Sequence, residues 1–423
     1  MVMQSAVKEH GAKVSTDVEV SAVIPCLNEA KTIGICISKA FASFSVLGIR
    51  GEVIVADNGS VDDSVMVAER LGSRVVHESK KGYGAALTRG ICEARGAIIV
   101  MGDADDSYDW SAIAPFISKV LEGYDLVMGN RFRGGIARGA MPPLHRYLGN
   151  PVLSWFGRVA FHTNVGDFHC GMRAFTKSAF RRMSITSSGM EFATEMVANA
   201  ACLGLRISEI PTKLYPDKRN RPPHLRSFRD GWRHLRFILT YAPDHLYLIP
   251  GVSLFLLGLL IQCLLIRGGI TLGIVSIGTN TLALGSLLTL VGFNILSLGV
   301  LAKALMAHRY AGLNTRLVGW IRGRFTLEAG LTVGVALAAL GIGVDVAIAI
   351  EWLRTSLGPM ERTVHFSIIA TTMLVLGVDL MFSSFLLHMI LQVNSESRWV
   401  GPYSDTLEHS ASLGALSQTR LSS

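Results

Sequence analysis

Four apolar runs dominate the second half of this chain, at about 247–266, 282–306, 329–350 and 366–392. Each is long enough to cross a hydrocarbon core of about 30 Å, which takes roughly 20 apolar residues as an α-helix. They account for the bulk composition: half of the 423 residues are hydrophobic and mean hydropathy is +0.40. Residues 1 to about 240, by contrast, carry ordinary globular patterning and most of the charge. A soluble domain followed by an all-α membrane domain is expected. Arg309, Arg316, Arg322 and Arg324 lie in the loop between the second and third runs, and the other two loops are poor in net positive charge. The positive-inside rule then puts the N-terminal domain, this loop and the C-terminal tail in the cytoplasm. Met1 to Glu19 contains no apolar core of a signal peptide, in keeping with that orientation. Asp345 and Asp379 fall inside predicted spans, where an acid is either functional or a helix–helix partner.

The net charge of +8 clusters beside the apolar runs, as cationic residues do next to anionic lipid, and no nucleic-acid motif accompanies it. Nucleic acid is excluded as a partner; membrane lipids are expected, and a homo-oligomer through the membrane domain is open. The six cysteines are scattered without a CxxC pair, which reads as small buried residues in a reducing compartment. Over His224–Tyr241, Leu225, Phe228, Trp232, Leu235 and Leu239 share one helical face and Arg226, Arg229, Arg233 and Arg236 another. That pattern predicts an amphipathic helix in the headgroup layer, with a surface helix packed on the domain as the alternative.

From Val20 to Met128 short apolar runs (Val20–Ile24, Glu52–Ala56, Arg74–Val76, Ala97–Met101, Leu126–Met128) alternate with amphipathic stretches such as Glu29–Phe44 and Tyr83–Ala94. This predicts an α/β fold with a doubly wound, mostly parallel sheet, whose ligand loops follow the strands. The expected division is 1–17 flexible, 18–222 catalytic, 223–243 interfacial helix, 244–393 membrane domain and 394–423 tail. The sharpest local signal is Gly102-Asp103-Ala104-Asp105-Asp106-Ser107. Carboxylates at i and i+2 of an extended stretch point the same way, so Asp103 and Asp105 can reach one hard cation, Mg²⁺ or Mn²⁺, shared with substrate phosphates. Asp57-Asn58-Gly59-Ser60-Val61-Asp62 follows another strand: Asp57 suits the donors of a base or ribose, and Asp62 a helix cap. In Pro25-Cys26-Leu27-Asn28-Glu29, Asn28 reads as a cap and Glu29 as a first-turn acid. Lys81-Gly82-Tyr83-Gly84 is no dinucleotide fingerprint, because it follows the third strand and not the first.

Taken as an ordered set, these loops resemble family 2 glycosyltransferases of the GT-A fold, and among them the polyprenyl-phosphate glycosyltransferases, the dolichol-phosphate mannose or glucose synthase group. Val23-Ile24-Pro25 with Asn28-Glu29, Asp57-Asn58-Gly59-Ser60 with Asp62, Gly102-Asp103-Ala104-Asp105, Gly129-Asn130-Arg131-Phe132, Asp167-Phe168-His169-Cys170-Gly171-Met172-Arg173 and Arg206-Ile207-Ser208-Glu209-Ile210-Pro211 carry it. The resemblance implies that Pro25, Asn28, Glu29 and Asp57 hold the nucleoside and that Asp103, Ala104 and Asp105 meet metal and diphosphate. Ser107 stands at the third metal-side position, where the family often has Gln. Arg131, Arg146 and Asn150 match the acceptor-phosphate positions, Asn replacing Ser, and Arg219 in the basic segment matches a diphosphate contact. The implied reaction is inverting transfer of a hexose from a nucleotide-sugar, of UDP-glucose or GDP-mannose type, to undecaprenyl or dolichyl phosphate. A processive polysaccharide synthase is the alternative enzyme, though its Gln-x-x-Arg-Trp motif is missing. A non-catalytic lipid-carrier transporter or scaffold is the alternative of another class.

Overall fold

The computed structural model describes residues 18–218, 227–272, 275–309, 316–354 and 363–396. The chain divides into two compact units, one ending at Ala242 and the other beginning at Pro243. In the first unit β1 (Val20–Cys26), β2 (Gly51–Asp57), β3 (Arg74–His77), β4 (Ile98–Met101), β5 (Leu126–Asn130), β6 (Arg173–Thr176) and β7 (Ile207–Pro211) form one sheet. Its order is β3-β2-β1-β4-β6-β5-β7. Val23 of β1 pairs in parallel with Ile54 and with Met101. Only β6 runs against its neighbours β4 and β5, so the other six strands end at one common edge.

Helices α1 (Ile33–Leu47), α2 (Ser64–Arg70), α3 (Tyr83–Glu93), α4 (Ala114–Leu121), α5 (Asn150–Phe161), α6 (Phe192–Cys202) and α7 (Ser227–Tyr241) flank the sheet. Alternate strand side chains feed opposite layers. Val23, Ile54 and Ile99 meet Leu87 of α3 and Phe192 of α6. Ile24, Val55 and Val100 meet Ile33 and Ile37 of α1 and Phe116 of α4. Burying each such aliphatic side chain stabilises by about 1.5–3 kcal/mol, and strands apolar on both faces are the consequence of two covered layers. Helix α1 starts at Ile33, four residues after the expected Glu29, with Thr32 at its cap. Of the six cysteines, none in a disulfide, Cys26, Cys36 and Cys170 are buried while Cys92 and Cys263 are exposed. Helix α7 turns His234, Phe237 and Ile238 inward and leaves Trp232 outward at 59 % exposure. The face packed on the domain is thus not the predicted apolar stripe but a second one beside it.

The second unit holds α8 (Ile249–Leu265), α9 (Thr279–Arg309), α10 (Leu327–Arg354) and α11 (Val364–Glu396). With the helical turn Asp244–Leu248 that runs into α8, all four are long and apolar enough to cross a membrane, at mean hydropathy 2.0 to 2.3. Glycines let their backbones meet: a Cβ on Gly258 would lie 2.4 Å from the Thr289 amide nitrogen, and one on Gly377 2.6 Å from that of Ala338. Asp345 accepts a hydrogen bond from the Ser367 hydroxyl at 3.2 Å and Asp379 one from the Asn294 amide at 3.3 Å. Each acid bridges two helices. A small hairpin, Ile270–Leu272 with Val275–Ile277, joins α8 to α9; no signal in the sequence analysis pointed to it.

Candidate active site

The sheet grows in opposite directions from β1, towards β2 on one side and β4 on the other. A crevice opens beyond the strand ends at such a switch point. Two loops meet on one side of it. Asn28, in the left-handed conformation (φ 58°), accepts from the Val61 amide at 2.8 Å, and its own amide donates to the Ser60 hydroxyl at 2.9 Å. The Glu29 amide donates to the Ser64 hydroxyl at 2.7 Å. Asn28 is therefore a clamp between loops and not a helix cap. Asp62 accepts from the Ser64 amide at 3.1 Å and so tethers the start of α2, although the cap position itself is taken by Asp63 and not, as expected, by Asp62. Buried Asp57 takes the Gly59 and Ser60 amides at 3.1 and 3.0 Å and faces His77 Nδ1 at 3.2 Å. Burial alone would raise its carboxyl; the Ser60, His77 and Gly59 hydrogen bonds outweigh that and hold it below the usual carboxylate range.

On the other side lies the loop after β4. The Tyr83 hydroxyl donates to Asp103 Oδ1 at 3.0 Å, and a Cβ on Gly171 would lie 2.5 Å from Asp103 Oδ2. The Ser107 amide donates to Asp105 Oδ1 at 3.0 Å, so Asp105 also shapes its own turn. Ala104 and Ser107 are buried, and the Ser107 carbonyl accepts from the Tyr215 amide at 2.9 Å. Asp106, left-handed at φ 58°, is buried between Lys39 Nζ at 2.7 Å and Lys218 Nζ at 2.6 Å. Burial pushes its carboxyl up, and the two ammonium groups pull it down further, below the usual range. Among the described residues no three His, Cys, Asp or Glu side chains converge on one point. Two hard carboxylates without a closed cage still fit Mg²⁺ or Mn²⁺, which take their remaining ligands from water and phosphate.

At the end of β5 the Arg131 guanidinium grips Asp167 through two bonds, Nε to Oδ2 at 2.7 Å and Nη2 to Oδ1 at 2.8 Å. Glu209 of β7 accepts from the Gly166 and Asp167 amides at 2.7 and 3.1 Å. A buried pair with its oxygens satisfied in this way holds a fixed geometry. His169 follows: its ring lies edge-on to His234 at 4.7 Å and its Nε2 is buried with no hydrogen-bond partner among the described residues. Burial, then His234, Arg131, Arg173 and His145, drive its pKa well below the ordinary value. Arg146 stacks over the Tyr147 ring at 5.4 Å, and the Asn150 amide reaches Met141 Sδ at 3.5 Å. Arg219 lies outside the described residues.

The chain thus brings Pro25, Asn28, Glu29 and Asp57 to one lip of the crevice and Asp103 to Ser107 to the other. Tyr83, Asp106, Lys39 and Lys218 were not singled out from the sequence, and Asp167 and Glu209 were quoted there without a role. Asp106 had one available signal, a third carboxylate directly after the pair.

Two families match: "Glycosyl transferase family 2" over residues 21–184 and "Glycosyltransferase family 2 C-terminal transmembrane region" over 300–391. The low-salt glycan biosynthesis hexosyltransferase Agl6 of Haloferax volcanii is 36% identical over 368 residues, 87% of this chain and 88% of that protein. A dolichyl-phosphate hexose transferase of the same organism is 30% identical over 164 residues, 38% of this chain and 69% of that protein. Glucosyl-3-phosphoglycerate synthase of Mycobacterium tuberculosis, in crystals with Mn²⁺ and UDP, aligns at 22% identity and a TM-score of 0.42. The alignment spans 56% of this chain and 80% of that one.

Proposed function

The chain belongs to glycosyltransferase family 2, and on that premise we propose that it transfers a hexose from a nucleotide-sugar to a polyprenyl phosphate at the cytoplasmic face of the membrane. The observation that carries this reading is that the Asp57 loop and the Asp103–Asp105 loop leave the same edge of the sheet, from the two strands that flank β1 in parallel, in a chain that also holds four apolar helices. The match to a dolichyl-phosphate hexose transferase supports a lipid phosphate as the acceptor. In the reaction an oxygen of the acceptor phosphate attacks the anomeric carbon. The bond from that carbon to the donor diphosphate breaks, and its electron pair leaves with the nucleoside diphosphate. Direct displacement inverts the centre. The attacking oxygen is already anionic at pH 7, so no strong general base is needed.

The residues divide the work. Pro25, Glu29 and Asp57 receive the nucleoside in a pocket whose shape Asn28 clamps. Asp103 and Asp105, with Ser107 behind them, would hold Mg²⁺ or Mn²⁺, which when bound stabilises the leaving diphosphate as a Lewis acid. Arg219 would meet the same diphosphate. Arg131 is aimed by Asp167, which uses its Nε and Nη2 and leaves Nη1 for the acceptor phosphate; Arg146 and Asn150 would complete that site. The test is nucleoside diphosphate release from UDP-glucose and GDP-mannose by the purified full chain, with and without undecaprenyl or dolichyl phosphate, in Mg²⁺, Mn²⁺ or chelator. Release that requires lipid phosphate and metal, with a sugar-lipid product, is expected. Release only with a sugar acceptor would turn the reading to a polysaccharide synthase, and no release with any donor would end the enzyme claim.

A further inference from the structure

The segment Lys81-Gly82-Tyr83-Gly84, which is no dinucleotide fingerprint, has another use in the fold. Both of its glycines lie against a second stretch of backbone. A Cβ on Gly82 would stand 2.1 Å from the Ser188 carbonyl oxygen, and one on Gly84 2.5 Å from that of Ser187. The Ala85 amide donates to the Ser188 carbonyl at 3.1 Å. The turn they press on is itself fixed, because fully buried Glu195 of α6 accepts from the Thr186 amide and hydroxyl, each at 3.1 Å, and from the Ser187 amide at 2.7 Å. Wedged in this way, the first turn of α3 has one orientation. Tyr83 opens that turn, packed against the layer that holds Leu87 and Phe192, and its hydroxyl donates to Asp103 Oδ1 at 3.0 Å.

A carboxylate on a loop is free to turn about two side-chain torsions. At Asp103 that freedom is gone. Oδ1 is held by the phenol, and a Cβ on Gly171 would lie 2.5 Å from Oδ2, which leaves that oxygen a narrow seat. The backbone beneath is pinned as well, since the Asp103 carbonyl accepts from Trp110 Nε1 at 3.2 Å. A phenylalanine at position 83 would fill the same space in the core, so packing does not account for the hydroxyl. Donation to a carboxylate is stronger than donation to a neutral acceptor, and an outer hydrogen bond to a metal-ligating carboxylate sets its orientation and the affinity of the site.

We propose that Tyr83 is a positioning residue whose hydroxyl fixes the Asp103 carboxylate in the orientation in which it and Asp105 receive one divalent cation. The inference rests on the metal-binding part of the reading above and not on the identity of donor or acceptor.

The test is Mn²⁺ binding to the full chain in detergent, stripped of metal, with free Mn²⁺ read from its electron paramagnetic resonance signal. Tyr83→Phe, which removes only the hydroxyl, should weaken Mn²⁺ binding by roughly 10- to 100-fold. Asp103→Asn should weaken it too, and adding Tyr83→Phe to Asp103→Asn should cost little more, because the phenol acts through that carboxylate. In turnover assays the Mn²⁺ concentration for half-maximal rate should rise in Tyr83→Phe, while the rate in excess Mn²⁺ approaches the parent's. Effects of the two substitutions that add in full would overturn the proposal. So would a lowered unfolding temperature in chelator with unchanged Mn²⁺ affinity, which would mean that the hydroxyl serves the fold alone. Parent binding that Tyr83→Phe leaves intact ends this inference and spares the metal assignment; a parent without any Mn²⁺ binding that Asp103→Asn removes would end both.

Discussion

At the scale of single residues, the site is built from carboxylates with different tasks. Asp57 is held charged by amides and His77. Its stabilising contribution is fully present above the unfolded carboxyl value of about 4 and is lost as pH falls through its depressed folded value. Asp57→Asn should therefore lower the unfolding temperature of the catalytic unit at pH 6, and the gap to the parent should be smaller at pH 3, on a scale of roughly 1–3 kcal/mol for hydrogen bonds to a charged group. A gap that is the same at both pH values would contradict this. Asp106 has another task, to tie α1 and the Tyr215–Lys218 segment to the Asp103–Ser107 loop through Lys39 and Lys218. Asp106→Asn should raise the donor KM about tenfold with less effect on kcat, and its effect combined with Lys39→Met should be less than additive because the two share one contact. Strict additivity would show that the two do not act together. Asp103 and Asp105 were legible as metal-binding candidates because two carboxylates at i and i+2 directly follow an apolar strand. Asp106 was not, because its partners are 67 and 112 residues away.

At the scale of elements, the strands that read clearly were those apolar on both faces. β6 did not read as one. It opens with Arg173, whose guanidinium is buried and donates to the carbonyls of Cys170, Phe168 and Ala193. A charge satisfied by carbonyls is compatible with a core strand, but in sequence it looks like a surface residue. The membrane helices were legible from hydropathy, while their contacts depend on glycines that hydropathy does not distinguish. Gly258→Leu should break the α8–α9 contact, because its first side-chain atom would lie 2.4 Å from a backbone nitrogen. Gly343→Leu should be tolerated, since nothing lies within 4 Å of it. Size-exclusion chromatography in detergent distinguishes them: loss of the monodisperse peak for Gly258→Leu alone is expected, and equal behaviour would refute the packing argument.

At the scale of the whole molecule, the orientation inferred from Arg309, Arg316, Arg322 and Arg324 predicts sidedness. In a background lacking Cys92 and Cys263, a cysteine at Arg316 should react with an impermeant maleimide only from the cytoplasmic side, and one at Ser276 only from the opposite side; the reverse pattern would invert the topology. What the sequence determined alone is whatever depends on local pattern: apolar length for the membrane helices, strand–helix alternation for the sheet, and carboxylate spacing for the metal-binding candidates. Only the tertiary structure decided which side chains are committed to other protein groups. Asn28 became a clamp and Arg131 was found gripped by Asp167, because a hydrogen-bond partner 33 or 36 residues away is set by the path of the chain and leaves no trace in periodicity.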